Sequence, residues 1–185
     1  TASTSYLQSK QLIERWHGVD RLQYAVTPRF APTSTAEQLA AAGRLLAEHK
    51  GVYLHTHLAE NIDEIKWVKT LFPEAKDYLD VYDQAGLLGK RSVFAHGIHL
   101  CDRECERLAT SDSAIAHCPT SNLFIGSGLF PMARLQNHGI KIGMGTDVGG
   151  GTSFNMLQTL ADSYKMQQLQ GHNLSPEQSF YLATL

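Results

Sequence analysis

The sequence predicts an α/β fold in which helices cover a parallel β-sheet, as in part of a (β/α)8 (TIM) barrel. Short apolar strand-like runs alternate along the whole chain with segments of helical periodicity, the pattern of consecutive βα units. The strands are apolar on both faces, which is typical of buried parallel strands. No glycine-rich phosphate-binding motif follows the first strand, which disfavours the doubly wound sheet that this alternation also permits. We therefore expect a single domain with about five-eighths of a barrel.

The predicted strands are short runs that glycine, proline or charged residues bound. The first covers residues 21–27, where Leu22, Tyr24 and Val26 alternate with other side chains, and a loop with two prolines follows it. The remaining strands are predicted at residues 52–58, 92–96, 113–117 and 140–145.

Helices are predicted between these strands from apolar spacing and capping residues. Ser34 with Glu37 fits a capping box, and Asn61 with Glu64 resembles another helix start. Helical periodicity is present at residues 1–18, 36–47, 61–73, 78–86, 102–109, 129–138 and 154–164, and Ser175 opens a final helix.

Composition argues against several classes of function. The net charge is -2 and no run of basic residues is present, which disfavours a nucleic-acid-binding surface. The apolar stretches are too short to span a bilayer, so we expect no membrane partner. The three cysteines are unpatterned and odd in number, which suggests a reducing compartment and therefore a cytoplasmic location.

A charged or imidazole side chain stands at the carboxyl end of every predicted strand. In chain order these residues are Arg29, His57, His96, His117 and Asp147. The carboxyl ends of parallel barrel strands share one rim, where the active sites of such barrels are built. Each residue alone has an ordinary structural explanation, as a surface charge, a core histidine or a cap. Their coincidence on one rim predicts a shared metal-dependent hydrolytic site.

His57 and Glu60 form a His-x-x-Glu pair at the end of the second predicted strand. A neutral imidazole is a good zinc ligand, and Asp147 can add an oxygen ligand suited to zinc or iron. The metal would lower the pKa of a water, whose proton Glu60 could accept and deliver to a substrate ring nitrogen. His96 could steady the attacking hydroxide, and Asp147 could accept a hydrogen bond from it. Two ligands are too few for a catalytic zinc site, so further ligands must come from elsewhere.

Short motifs at these strand ends are similar to those of a known enzyme family. They read Thr-Pro-Arg-Phe at 27–30, His-x-x-Glu at 57–60, Ala-His-Gly at 95–97, His-Cys-Pro-x-Ser-Asn at 117–122 and Gly-Thr-Asp-Val at 145–148. In these motifs the chain resembles the amidohydrolase superfamily and, within it, the guanine deaminases, which convert guanine to xanthine and ammonia. His-x-x-Glu points to the deaminase branch, and Thr-Pro-Arg-Phe narrows the resemblance to guanine.

The resemblance implies a role for each matching residue around one zinc ion per subunit. His57 and Asp147 would be zinc ligands from the fifth and eighth barrel strands, with iron as the alternative metal. Glu60 would be the proton shuttle, and His96, after the sixth strand, would assist at the hydroxide. Glu60, His96 and Asp147 are thus the expected catalytic residues.

Two further residues would recognise the purine in such an enzyme. Arg29 would donate hydrogen bonds to the purine carbonyl, a contact that its forked guanidinium suits, and Phe30 would pack near the ring. Guanine offers Arg29 an acceptor where adenine offers a donor, so an unpaired buried group would disfavour adenine. His57, Glu60 and Asp147 would also face the substrate. Guanine and water are therefore the expected substrates.

One departure concerns the His-x-His motif of the family's first barrel strand, which donates two zinc ligands. The His-Thr-His at 55–57 mimics it, but a full helix precedes it and Leu-Ala-Glu follows it, so it fits the fifth strand. His55 would then point deeper into the barrel as a structural residue, and His17 and His99 have no matching role. We expect residues 1–185 to be an interior part of the catalytic barrel, without its first strands and the terminal β-sandwich segments, and inactive alone. The full-length protein would be a homodimer.

Two alternatives stay open at this point. The same metal core would serve another amidohydrolase-superfamily deaminase or a chlorohydrolase that acts on a different purine, a pyrimidine, a triazine or a nucleoside, and Arg29 with Phe30 is the feature that discriminates among them. A non-catalytic scaffold relative could keep the barrel and bind a partner. Intact Glu60 and Asp147 argue against that reading, because a scaffold needs neither.

Overall fold

The computed structural model describes residues 1–184 and contains a parallel sheet of five strands. These strands are β1 (Ala25–Val26), β2 (Tyr53–Leu58), β3 (Ser92–His96), β4 (Ala114–His117) and β5 (Lys141–Met144). Each strand pairs with the next one along the chain, in the order β1-β2-β3-β4-β5. A doubly wound sheet reverses its strand order at a switch point. The continuous order is therefore that of a barrel segment, as the sequence predicts.

Helices separate consecutive strands along the chain, and further helices precede the first strand and follow the last. They are α1 (Ala2–Trp16), α2 (Ala36–Glu48), α3 (Ile62–Leu71), α4 (Tyr78–Gln84), α5 (Asp102–Thr110), α6 (Pro119–Phe124), α7 (Met132–Asn137), α8 (Met156–Leu169) and α9 (Pro176–Thr184), with a short 3-10 helix at Ala31–Thr33. Across residues 1–184, none of these helices combines the length and the apolar character that crossing a bilayer requires.

The two faces of β2 have different environments. Leu54, Thr56 and Leu58 are buried on the face that packs against the helices. His55 and His57 lie on the opposite face, the interior face of a barrel, because successive strand side chains alternate. The register pairs Leu58 of β2 with His96 of β3, so the two histidine-bearing strand ends lie side by side.

The hydrophobic core lies between the sheet and the helical layer. Burying one such side chain stabilises the fold by about 1.5–3 kcal/mol. Its largest fully buried members include Tyr82, Phe94, Phe130, Leu39, Leu54, Leu58, Leu79, Leu108, Ile115 and Leu135. Tyr82 also carries polar contacts, because its hydroxyl accepts a hydrogen bond from Ala31 N and donates one to the carbonyl oxygen of His57. The core thus reaches the strand end where His57 lies.

Several element boundaries differ from the sequence prediction. The first strand, expected at residues 21–27, covers only Ala25–Val26. The residues before it form a turn, in which the N–H of Gly18 donates a hydrogen bond to the carbonyl of Leu22 and Asp20 has φ 50. Residues 119–124 form the helix α6, which the sequence did not predict. The helix expected at residues 129–138 begins only at Met132.

The capping predictions had mixed outcomes. The box at Asn61 and Glu64 is confirmed, with both reciprocal hydrogen bonds present. The box at Ser34 and Glu37 was wrong by one residue. Thr35 is the N-cap of α2 and pairs with Gln38, because the Ser34 hydroxyl donates instead to the carbonyl of Phe30 in the preceding loop.

Candidate metal centre and active site

The residues predicted at the strand ends do lie there, and three of them converge. Potential ligand atoms of His57, His96 and Asp147 all lie within 4.8 Å of one another. His57 belongs to β2, His96 ends β3, and Asp147 follows β5. Two imidazole nitrogens and a carboxylate oxygen form a donor set that suits a catalytic zinc or a similar divalent ion. The sequence predicts a role for His96 at the hydroxide alone, whereas the structure places a ring nitrogen of His96 among the three potential ligand atoms.

Hydrogen bonds to neighbouring groups fix the imidazole of His57. Its Nδ1 lies 2.7 Å from the carbonyl oxygen of Arg29. A carbonyl only accepts, so Nδ1 carries the proton and Nε2 keeps a free lone pair. The backbone N–H of His57 donates to the same oxygen, and the Tyr82 hydroxyl donates to the His57 carbonyl. This set of contacts is the kind that orients a metal-binding histidine.

His96 is fully buried, and its backbone has φ 75, in the left-handed region. Its ring stacks on that of His57, with centroids 5.3 Å apart. Within residues 1–184, the His96 Nε2 atom has no hydrogen-bond partner, and it lies 3.4 Å from Glu60 Oε2 and 4.0 Å from Asp147 Oδ2. Burial lowers the pKa of His96 to about 4, although Asp147 opposes the shift. The ring is therefore neutral near pH 7.

The side-chain amide of Asn122 selects the tautomer of His96. Its amide nitrogen lies 3.0 Å from Nδ1 of His96, and both residues are buried. An amide N–H only donates, so Nδ1 accepts and Nε2 of the neutral ring carries the proton. That proton lies on the side of Glu60 and Asp147, whose carboxylate oxygens are 3.4 Å and 4.0 Å from Nε2.

Glu60 lies beside this centre with one carboxylate oxygen held. Oε1 accepts a hydrogen bond of 3.0 Å from the hydroxyl of Ser127, while Oε2 is the oxygen nearest His96. Burial raises the pKa of Glu60, and the Ser127 hydrogen bond opposes that rise. A carboxyl group whose pKa is raised toward neutrality is well suited to take up and release a proton.

The loop that carries Asp147 depends on glycines. Asp147 has φ 46, and its side chain is 30% exposed. A Cβ atom at Gly150 would lie 2.8 Å from the hydroxyl of Ser121 and 3.1 Å from Oδ2 of Asp147. Only a residue without a side chain lets this loop approach both groups. The glycine therefore permits the carboxylate position.

Arg29 and Phe30 lie at the open side of the site. The guanidinium carbon of Arg29 is 5.8 Å from the centroid of the Phe30 ring, and that ring is 5.9 Å from the ring of His57. Arg29 is exposed and Phe30 is half-buried. A forked cation and an aromatic ring next to the candidate metal centre can recognise a planar ligand that carries acceptor atoms.

Two other histidines do not belong to the cluster of ligands. His117 is at its predicted strand end, but its ring stacks on Phe130 at 4.2 Å and is fully buried. Burial lowers the pKa of His117 to about 3, so it packs as a neutral core residue. His55 lies on the same face of β2 as His57, as expected, but it is exposed in the described chain.

Several residues that hold the site together could not be predicted from the sequence. Asn122 belongs to a strand-end motif for which the sequence predicts no separate role, whereas its side chain contacts Nδ1 of His96. Ser127 and Tyr82 were given no site role, since neither stands at a strand end. The buried aromatic at position 82 looked like an ordinary core residue, and its hydroxyl was the only available signal.

Comparisons with known proteins are consistent with this arrangement of residues. The whole chain, residues 1–185, matches the model of the Amidohydrolase family. It is 59% identical over 185 residues to the guanine deaminase of Escherichia coli (strain K12), a match that covers 100% of this chain and 42% of that protein. It is 48% identical over 188 residues to a probable guanine deaminase of Deinococcus radiodurans, covering 100% of the chain and 43% of the relative. The chain thus spans less than half of the length of these curated relatives.

Solved structures agree with the sequence relatives. The structure of E. coli guanine deaminase superposes with a TM-score of 0.98 at 59% identity, covering 100% of this chain and 43% of that one. A guanine deaminase from C. acetobutylicum with guanine bound in its active site superposes with a TM-score of 0.94 at 30% identity, covering 100% of this chain and 46% of that one. The fold is therefore part of an amidohydrolase-type (β/α)8 barrel.

Proposed function

Because this chain belongs to the amidohydrolase family over its whole length, we propose that the protein deaminates guanine by zinc-dependent hydrolysis, giving xanthine and ammonia. The observation that carries the proposal is the convergence of His57, His96 and Asp147 next to a carboxyl group, Glu60, that lies 3.4 Å from His96. The similarity to guanine deaminases supports guanine as the substrate. In this proposal, residues 1–185 are part of the catalytic barrel.

His57 and Asp147 are the proposed metal ligands. The free lone pair at Nε2 of His57 and the half-buried carboxylate of Asp147 support these roles. A bound zinc would supply the Lewis acidity that makes water a better nucleophile near neutral pH. Iron would suit the same nitrogen and oxygen donors. His96 lies close enough to both proposed ligands to steady the oxygen of the attacking water through its neutral ring.

Glu60 moves the proton in the proposed reaction. It accepts a proton from the attacking water and delivers it to a ring nitrogen of guanine, as the oxygen of the water forms a bond to the ring carbon that carries the amino group. Asp147 accepts a hydrogen bond from the attacking oxygen. The proton left on the added oxygen then passes by way of the Glu60 carboxylate to the amino nitrogen. The bond between the ring carbon and that nitrogen breaks, ammonia leaves, and the oxygen becomes the second carbonyl of xanthine. The raised pKa of Glu60 supports both uptake and release of this proton.

Arg29 and Phe30 are the proposed specificity residues. The exposed guanidinium at the mouth donates to the purine carbonyl, and the Phe30 ring packs near the purine beside His57. Guanine presents an acceptor to Arg29, whereas adenine would present an amino donor and leave both groups unpaired. A homodimer of the full-length protein and a cytoplasmic location stay predictions of the sequence resemblance.

Ammonia release from guanine tests this function in the protein of full natural length. We expect turnover in the metal-loaded protein, and its loss both after metal removal and in Glu60→Gln. Glu106→Gln, an exposed glutamate on α5, is the matched control and should retain full activity. The same assay should be run with adenine, cytosine and an amino-triazine as alternative substrates. Turnover of one of these in place of guanine, with metal bound, would contradict guanine specificity and the role of Arg29.

A further inference from the structure

The carboxylate of Glu60 accepts a hydrogen bond from Ser127, a residue that has no part in the proposed chemistry. Ser127 lies in the turn after α6, and its side chain is only 6% exposed. Its hydroxyl donates to Oε1 of Glu60 at 3.0 Å. Its backbone N–H donates to the carbonyl of Asn122 at 2.9 Å, which ties the turn to α6. Ser127 is therefore a fixed donor beside the site.

His99 holds the same turn from the other side. Its Nε2 lies 2.8 Å from the carbonyl oxygen of Ser127, and the ring must be the donor because a carbonyl only accepts. The turn also lies close against this ring, since a Cβ atom at Gly128 would be 3.3 Å from its Cε1. Gly128 has φ 131, a conformation that other residues rarely adopt. The imidazole and the glycine together place the Ser127 hydroxyl.

The backbone of His99 returns to the residue before Glu60. Its N–H donates to the carbonyl of Ala59 at 3.1 Å, and the N–H of Ile98 donates to the same oxygen at 3.2 Å. The contacts form a closed ring that runs from Ala59 to His99, from His99 to Ser127, and from Ser127 to the carboxylate of Glu60. A closed ring fixes the side chain relative to its own backbone, which a single hydrogen bond does not.

We propose that Ser127 and His99 are positioning residues that hold one oxygen of Glu60 so that the other points at the reacting atoms beside His96. This inference rests on the proposed function for its kinetic consequence, because the glutamate is the group that moves the proton. Without the Ser127 hydroxyl, Glu60 would sample other rotamers, and a displacement of about 1 Å can lower a catalytic rate by about 100-fold. A merely structural serine would stabilise the turn and leave the position of Glu60 unchanged.

The test compares variants of the protein in its full natural length. Ser127→Ala removes the donor, and Ser127→Thr keeps it. His99→Leu removes the donor to the turn, and His99→Gln supplies an amide N–H in its place. Ser92→Ala is the matched control, since Ser92 is also buried and donates a side-chain hydrogen bond, to Leu87 O, at the far end of β3. Crystal structures, bound metal per chain, thermal stability, kcat and KM are measured for each variant.

We expect Ser127→Ala and His99→Leu to lower kcat by about 10- to 100-fold with less change in KM and with bound metal unchanged. Their crystal structures should show the Glu60 carboxylate displaced from His96. Ser127→Thr and His99→Gln should retain most of kcat. If a variant at one of these two positions does not fold, the two variants at the other position are sufficient for the test. Ser92→Ala should lose stability and keep kcat.

Two results would overturn the inference. One is a kcat in Ser127→Ala within twofold of that of Ser92→Ala, and the other is a Glu60 carboxylate that stays in place without the hydroxyl. If the unaltered protein releases no ammonia from guanine, the proposed function fails separately. The crystallographic position of Glu60 in the variants then decides the positioning role alone.

Discussion

The Nδ1 atom of His57 donates a hydrogen bond to the backbone carbonyl of Arg29, 2.7 Å away, and so joins the proposed metal ligand to the proposed specificity residue. The contact uses the main chain of Arg29 and leaves its guanidinium free at the mouth of the site. Metal binding and substrate recognition should therefore be separable at this residue.

Arg29→Lys is expected to reduce guanine recognition without loss of metal. The backbone carbonyl stays in place for His57, but a lysine cannot provide the paired N–H donors of a guanidinium. A lost charged hydrogen bond of about 1.5–3 kcal/mol corresponds to a fall in kcat/KM for guanine of about 10- to 150-fold. Steady-state kinetics and metal analysis measure both properties. Arg15→Lys on α1 is the control, and a loss of metal in Arg29→Lys would show that the two functions are not separable.

Gly150→Ala is expected to weaken metal binding. The new methyl group would lie within 3.1 Å of Oδ2 of Asp147 and closer still to the hydroxyl of Ser121, so the carboxylate has to move. We expect metal affinity to fall by about 10- to 100-fold, as when other supports of a ligand are lost. Competition with a chelator measures this affinity. Gly89→Ala, where a Cβ atom would meet nothing within 4 Å, should bind metal normally.

Tyr82→Phe is expected to destabilise the fold beneath the site. The hydroxyl satisfies the buried N–H of Ala31 and donates to the carbonyl of His57, and phenylalanine leaves both groups without this partner. An unsatisfied buried group costs about 1–3 kcal/mol, so the free energy of unfolding should fall by that amount. Urea denaturation measures it. Tyr164→Phe on α8, where the ring is 46% exposed, should change stability by less than about 0.5 kcal/mol.

His117→Phe is expected to reduce the loss of stability in acid. Burial lowers the pKa of His117 from 6.5 to about 3, so the unfolded chain takes up a proton that the folded chain refuses between these values. Stability therefore falls as the pH drops below about 6.5, and this one group accounts for about 2 kcal/mol between pH 7 and pH 5.

Phenylalanine keeps the stacking on Phe130 and removes the titrating group. Urea denaturation at both pH values should therefore give a smaller difference for His117→Phe than for the unaltered protein. Tyr164→Phe removes no group that titrates in this range and serves as the control. An unchanged difference in His117→Phe would show that the folded protein accommodates a proton on this imidazole.

The strand-end pattern predicts which side chains lie close together, because parallel pairing alone brings the carboxyl ends of neighbouring strands to one rim. His57, His96 and Asp147 do lie together in the structure, and Glu60 lies beside His96. The pattern could not separate His117 from these residues. All the strand-end residues occupy equivalent positions in the pattern, and only packing against Phe130 distinguishes this one.

The contacts that hold the site were beyond the sequence for a different reason. Ser127 and Glu60 are 67 residues apart in the chain, and their hydrogen bond depends on the conformation of one turn. The sequence prediction was wrong about one helix cap, where two adjacent residues can both fill that role. Ser34 and Thr35 can both cap a helix, and the choice follows from the Phe30 carbonyl that occupies the Ser34 hydroxyl.

Backbone conformation at the site has a consequence for how the protein can be altered. Of the five non-glycine residues with left-handed backbone angles in the described chain, three are Ala59, His96 and Asp147. Each such conformation disfavours the folded state by about 1–2 kcal/mol relative to glycine. Selection for heat resistance would therefore favour glycine at these positions, although His96 and Asp147 cannot change without loss of the chemistry. Thermal stability and catalysis thus favour different residues at these positions. Of the three, only Ala59 can be replaced by glycine, which relieves its backbone strain, while the side chains of His96 and Asp147 are kept.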